Sequence, residues 1–114
     1  MPSKKFQVVW SESAALDLKS IVLFIAQNSM QNAREAFAKI KKECLLLEKF
    51  PDLGKIPAEL EDLQIGGYRE LTINPWRVFY RKQAEQIVVL AVVDTVVYKK
   101  CTHWQRVVLF TLAA

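Results

Sequence analysis

The run QIVVLAVVD, residues 86–94, is apolar at both odd and even positions. Successive strand side chains point to opposite faces, so a run of this kind reads as a central strand covered on both sides. Just before it lie YRELTI and WRVFYRK, which have the β-branched and aromatic content of strands but also three arginines and a lysine. If Asn74-Pro75 is a two-residue hairpin turn, the register between these two runs follows. Ile73 then faces Trp76, Leu71 faces Val78 and Arg69 faces Tyr80, all on one side of the sheet. Thr72 with Arg77, Glu70 with Phe79 and Tyr68 with Arg81 share the other side.

The first of these faces is largely apolar and should pack under helices, with Arg69 near its edge. The second combines Arg77 and Arg81 with Tyr68 and Phe79, and is expected to be an open, cationic sheet surface. Guanidinium groups bind phosphate bidentately and aromatic rings accept stacked bases, so such a face suits holding an RNA strand or supporting phosphate charge in a transition state. An ordinary solvated sheet face has the same composition, and a one-residue slip in register would exchange the two sides.

The N-terminal half supplies the helices. KFQVVW, residues 5–10, reads as a short strand, followed by Ser11 as an N-cap and Glu12 in the first helical turn. Leu18, Ile21, Val22 and Ile25 form an apolar stripe, with Asp17, Lys19 and Asn28 placed opposite. After the break QNSMQN, a second seam runs through Ala33, Phe37, Ile40, Cys44 and Leu47. That seam makes Cys44 a core residue, and so short a break between the two helices makes them an antiparallel hairpin. Pro51 closes the second helix, FPDLG forms a turn, and residues 52–67 are loop-like. The expected fold class is α+β: an N-terminal strand and a helical hairpin packed on a small, mainly antiparallel sheet.

At 114 residues the chain forms a single domain, 1–114. Its net charge of +4 is unevenly placed. Residues 1–65 carry equal numbers of basic and acidic side chains, whereas residues 66–114 carry seven basic against three acidic. A basic second half favours nucleic acid or an acidic protein as a partner. MPSKKFQVVW lacks the apolar core of a secretion signal, and VVLFTLAA is too short to span a membrane, so the expected location is cytoplasmic with both thiols reduced. Cys101 and His103 form a C-x-H without a second ligand pair, so no metal site is expected. His103 is the sole histidine, and no G-x-S-x-G, P-loop or G-x-G-x-x-G occurs. No cofactor is expected.

The order strand, helical hairpin, three-stranded antiparallel sheet resembles the RelE/ParE superfamily of toxins from type II toxin–antitoxin systems. The resemblance rests on SESAALDLKSIVLFIA, FPDLGKIPAEL and YRELTINPWRVFYRK…IVVLAVVD, and covers about residues 5–95. The long hairpin and the PDLG…YRE connection are closer to the ParE, plasmid-stabilisation, branch. The resemblance implies a growth-arresting toxin neutralised by a cognate antitoxin, as a toxin–antitoxin hetero-oligomer or with a homodimer.

Two targets follow from the two branches. ParE-type members poison DNA gyrase without covalent chemistry of their own, which is the first expectation here. RelE-type members are metal-independent endoribonucleases that cut mRNA on the ribosome. Under that alternative the catalytic residues are Arg77 and Arg81, Arg77 matching the arginine of the family's Y/W-R-hydrophobic-hydrophobic-Y strand. A degenerate relative that only binds antitoxin is the third reading. The target-binding set is Arg69, Arg77, Arg81, Tyr68, Phe79, Lys99 and Lys100, with Arg69 matching the YRE word of ParE-type sequences. Family members usually follow the last strand with basic residues. Here Asp94-Thr95-Val96-Val97-Tyr98 intervene before Lys99-Lys100, and the apolar tail WQRVVLFTLAA makes 96–114 atypical.

Overall fold

The computed structural model describes residues 5–57 and 67–94. Strand β1 (Gln7–Trp10) leads into helix α1 (Glu12–Ala26), helix α2 (Met30–Leu45) and a 3-10 turn, Leu46–Glu48. Strands β2 (Tyr68–Ile73), β3 (Trp76–Gln83) and β4 (Gln86–Asp94) follow. The sheet order is β1-β4-β3-β2. β1 runs parallel to β4 and the other pairings are antiparallel. The fold is therefore α+β, and the run that is apolar at both parities lies inside the sheet.

Both helices start where hydroxyl side chains satisfy the free N–H groups of a first turn. Ser11 accepts from the Ala14 N–H at 3.0 Å and Ser29 from that of Asn32 at 3.1 Å. One face of the sheet packs on the hairpin. Its core joins Leu18, Ile40, Cys44 and Leu47 to Leu71, Val78, Tyr80 and Val89. Ile21, Val22 and Ile25 complete the stripe of α1 against this core.

Two helical expectations are corrected. Phe37 is 46% exposed, and Ala36 takes the inward position beside Ala33 and Ile40. The small side chains of Ala33 and Ala36 are turned inward and the larger ring of Phe37 outward. Asp17 does not point away from the sheet: its Oδ2 accepts the Val92 N–H at 3.0 Å. The β1 partners end at Trp10↔Val89, so Val92 lies beyond the end of β1, and Asp17 serves as its acceptor.

The β2–β3 register is the one derived from an Asn74-Pro75 turn, from Tyr68↔Arg81 to Ile73↔Trp76, and the Asn74-Pro75 peptide is cis. β3 against β4 carries an irregularity at Phe79/Tyr80: Phe79 pairs with Ala91 and Tyr80 with Val89. Leu90 is the extra residue of this bulge. It changes which positions face the helices, from Ile87 and Val89 to Val92, and sends Leu90, Ala91 and Val93 to the opposite face.

Candidate functional site

The arginines of β2 and β3 divide between the two faces of the sheet, and each is held by a different part of the chain. Arg69 lies at the outer edge of the helix-covered face, opposite Tyr80. It reaches back to the turn after the helical hairpin, donating to the Gly54 carbonyl at 2.8 Å and pairing with Asp52 at 3.3 Å. Tyr80 holds the same turn from beneath. Its hydroxyl donates to the Pro51 carbonyl and accepts from the Gly54 N–H, both at 2.9 Å. Burial pushes this hydroxyl above the ordinary phenol range, against the lowering effect of the Gly54 N–H and of Arg69.

Next along the chain, Lys55 and Glu70 exchange backbone hydrogen bonds of 2.9 and 2.8 Å, which extends the β2 edge by one bridge. Gly54 is required at this crossing. A Cβ there would lie 2.5 Å from the Glu70 carbonyl oxygen and 2.8 Å from the Tyr80 hydroxyl. PDLG, YRE and the tyrosine of WRVFY are thus one structural lock. Arg69, expected in the target-binding set, is committed to it.

The second face is not the open surface expected from its polar composition. Phe79 is 1% exposed and Tyr68 5%, and they form a second apolar cluster with Leu90, Ala91 and Val93. The bulge contributes by placing two consecutive β4 residues, Leu90 and Ala91, on this face beside the rings. The guanidiniums lie over the same rings, Arg77 at 5.1 Å from the Phe79 centroid and Arg81 at 5.7 Å from that of Tyr68.

Glu70 is the buried charged residue of this face, at 4% exposure. Its carboxylate is shared between two cations, Oε2 accepting from Arg77 and Oε1 lying 3.6 Å from Lys55. In the register derived from the Asn74-Pro75 turn, Glu70 lies on this face. The signal was present: a carboxylate diagonal to Arg77 in the derived register is within reach of a guanidinium. Lys99 and Lys100 lie outside the described residues.

The helical hairpin carries the other notable surface. Leu23, Phe24, Met30 and Phe37 are each about half exposed or more. A cleft of about 670 Å³ opens between both helices and the β2–β3 turn, lined by Phe24, Ile25, Lys39 and Trp76 among others. A second, of about 390 Å³, lies beside Trp10, Val22, Phe37 and Lys41. Cys44 is buried away from both surfaces, and loss of hydration raises its thiol pKa to about 12, so it is not a nucleophile. Among the described residues no group of three or more His, Cys, Asp or Glu is placed to hold a metal ion, and no helix is long and apolar enough to cross a membrane.

The two-helix hairpin on a four-stranded, mainly antiparallel sheet is the arrangement that the RelE/ParE resemblance implies. The profile of the ParE toxin of type II toxin–antitoxin systems, parDE, matches residues 8–95. The chain belongs to this family. In fold it is similar to a chain of the chromosomal ParDE system from Pseudomonas aeruginosa, with 21% identity and a TM-score of 0.66 over 81% of this chain and 98% of that one. It is also similar to a chain of the RelBE2 toxin–antitoxin complex from Mycobacterium tuberculosis, with 17% identity and a TM-score of 0.57, covering 82% and 94%. A comparison with curated proteins finds no match.

Proposed function

We propose that this ParE-family toxin arrests growth by binding DNA gyrase, without cutting RNA, and that a cognate antitoxin neutralises it. The observation that carries this choice is the burial of Phe79 and Tyr68 on the sheet face. Base stacking requires an exposed ring, and neither ring of the strand pair offers one. Arg77 and Arg81, the residues an endoribonuclease would use, lie over these rings instead of framing an open base-binding surface. A toxin that works by occupying a large protein needs no such surface.

The antitoxin partner is supported by the ParDE and RelBE2 neighbours, both from toxin–antitoxin systems. It is also supported by the half-exposed apolar side chains of the hairpin, which suit coverage by another chain. The basic second half favours an acidic antitoxin, so their association should weaken as salt is raised.

The test is inducible expression in a bacterium that lacks the antitoxin, following growth and a DNA-damage reporter together. Arrest with the reporter switched on is the expected result. Arrest with the reporter silent would shift the assignment to mRNA cleavage. Undisturbed growth with soluble, folded protein would leave only the antitoxin-binding relative.

A further inference from the structure

The carboxylate of Glu70 occupies the position that an external oxyanion would take between two cations. Its two oxygens are divided between Arg77 and Lys55, and it is the acidic side chain of this face that is almost fully buried. The Lys55 side chain is 75% exposed and that of Arg77 21%, so both cations reach solvent, Lys55 much the more, while Glu70 is buried between them. We propose that Lys55 and Arg77 form a phosphate-binding pair whose ligand is supplied by the chain itself, Glu70 being the residue that closes the sheet face to phosphodiesters such as RNA.

The physical basis is competition between a tethered anion and a free one. The backbone bridge between Lys55 and Glu70 fixes the carboxylate at the edge of the pair. A group held in place this way acts at an effective concentration of about millimolar or above. A phosphate approaching Arg77 must displace it or sit beside it. Displacement strands a charge that has almost no access to water, and coexistence puts two anions on one guanidinium. Either outcome makes the face a poor phosphate site despite its arginines. Removing the Glu70 charge changes the local sum over Lys55, Glu70 and Arg77 from +1 to +2. It also removes the carboxylate that accepts from the Arg77 Nη2.

This goes beyond the choice of gyrase as target and is tested separately, because it concerns phosphate affinity and not toxicity. The full chain, Glu70→Gln and Glu70→Ala are compared for binding to a short single-stranded RNA and for thermal unfolding in phosphate against chloride at equal ionic strength. The expected result is a gain in RNA affinity of about tenfold or more for Glu70→Gln, reflecting loss of a like charge beside the bound phosphate. The slope of log affinity against log salt should steepen by about 0.7 for the one added phosphate contact. Arg77→Gln placed on the same background should erase the gain.

Phosphate stabilises folded proteins in general, so the signal is the excess over the parent: Glu70→Ala should gain more from phosphate over chloride than the parent does, and Arg77→Gln on the Ala background should remove that excess. Folded Glu70→Gln with the parent's RNA affinity would overturn the proposal and leave Glu70 a purely structural partner of Arg77. So would an Ala variant that gains no more from phosphate than the parent, or a gain in affinity that survives Arg77→Gln.

Discussion

Replacing Gly54 by alanine adds one methyl group where the turn after the helices crosses β2. The new Cβ would meet the Glu70 carbonyl oxygen at 2.5 Å, the Glu70 carbonyl carbon at 2.9 Å and the Tyr80 hydroxyl at 2.8 Å. The first two belong to backbone that is itself fixed by the Lys55–Glu70 bridge, so they cannot turn aside as a flexible side chain would. The turn must therefore move. Overpacking of this kind costs about 1–3 kcal/mol. Movement also weakens the Gly54 N–H bond to Tyr80 and the Arg69 bond to the Gly54 carbonyl, about 1 kcal/mol each.

Because partial relaxation trades one cost against the other, the expected loss is about 2–4 kcal/mol. At roughly 4 °C per kcal/mol for a domain of this size, the midpoint should fall by about 8–16 °C. Far-UV circular dichroism during heating measures it. Tyr80→Phe should destabilise by about 1–3 kcal/mol, since it leaves the Gly54 N–H and Pro51 carbonyl without their shared hydroxyl. The two changes act on one hydrogen bond, so the double variant should lose less than the sum. A midpoint for Gly54→Ala within about 2 °C of the parent would refute the lock, as would additivity of the two losses.

Other consequences follow from individual contacts. Asp17→Ala should cost about 1–3 kcal/mol in urea unfolding, because the Val92 N–H loses its acceptor beyond the end of β1; Lys19→Ala, on the exposed side of the same helix, should stay within about 0.5 kcal/mol. Ala84 sits at φ 53° in the β3–β4 turn, so Ala84→Gly should raise stability by up to about 1 kcal/mol, seen as a higher unfolding midpoint. Stability should fall in alkali. Cys44 keeps its proton in the folded state up to about 12 but loses it near 9.0 when unfolded, so above 9.0 the unfolded chain binds fewer protons and gains relative stability. Tyr80, also raised, adds to the loss above 10.0. Urea titrations across that range should show a decline approaching about 1.4 kcal/mol per pH unit for Cys44, and Cys44→Ala should lose that component.

Much of the scaffold was legible because it depends on periodicity and turn chemistry. Asn74-Pro75 fixed six pairs between β2 and β3, and a run without polar positions could only be internal to the sheet. The bulge at Leu90 was hidden by the same property: where every residue is apolar, no change of phase can be seen. The seam of α2 misassigned Phe37 because hydrophobicity alone does not tell which of the adjacent Ala36 and Phe37 faces inward. Asp17 lies one helical turn before Ile21, at the border of the stripe, and an unpaired strand N–H decided which way it turned.

At the site, register was legible and burial was not. Tyr68 and Phe79 share a face with two arginines, as derived, but the cations lie over the rings and the polar pattern concealed an apolar layer. Arg69 has a side chain long enough to leave its own strand, and its commitment to Asp52 and Gly54 depends on a chain crossing that no local pattern reveals. Glu70 was visible only as the diagonal neighbour of Arg77.

Action on gyrase by binding is what we propose for this toxin. The most direct measurement is to titrate the purified chain into gyrase during supercoiling of relaxed plasmid DNA. A parallel reaction supplies ribosomes translating a defined mRNA. Loss of supercoiling with intact mRNA is the result expected here. Unimpaired supercoiling together with mRNA cut on the ribosome, and cleavage abolished by Arg77→Ala, would contradict the account.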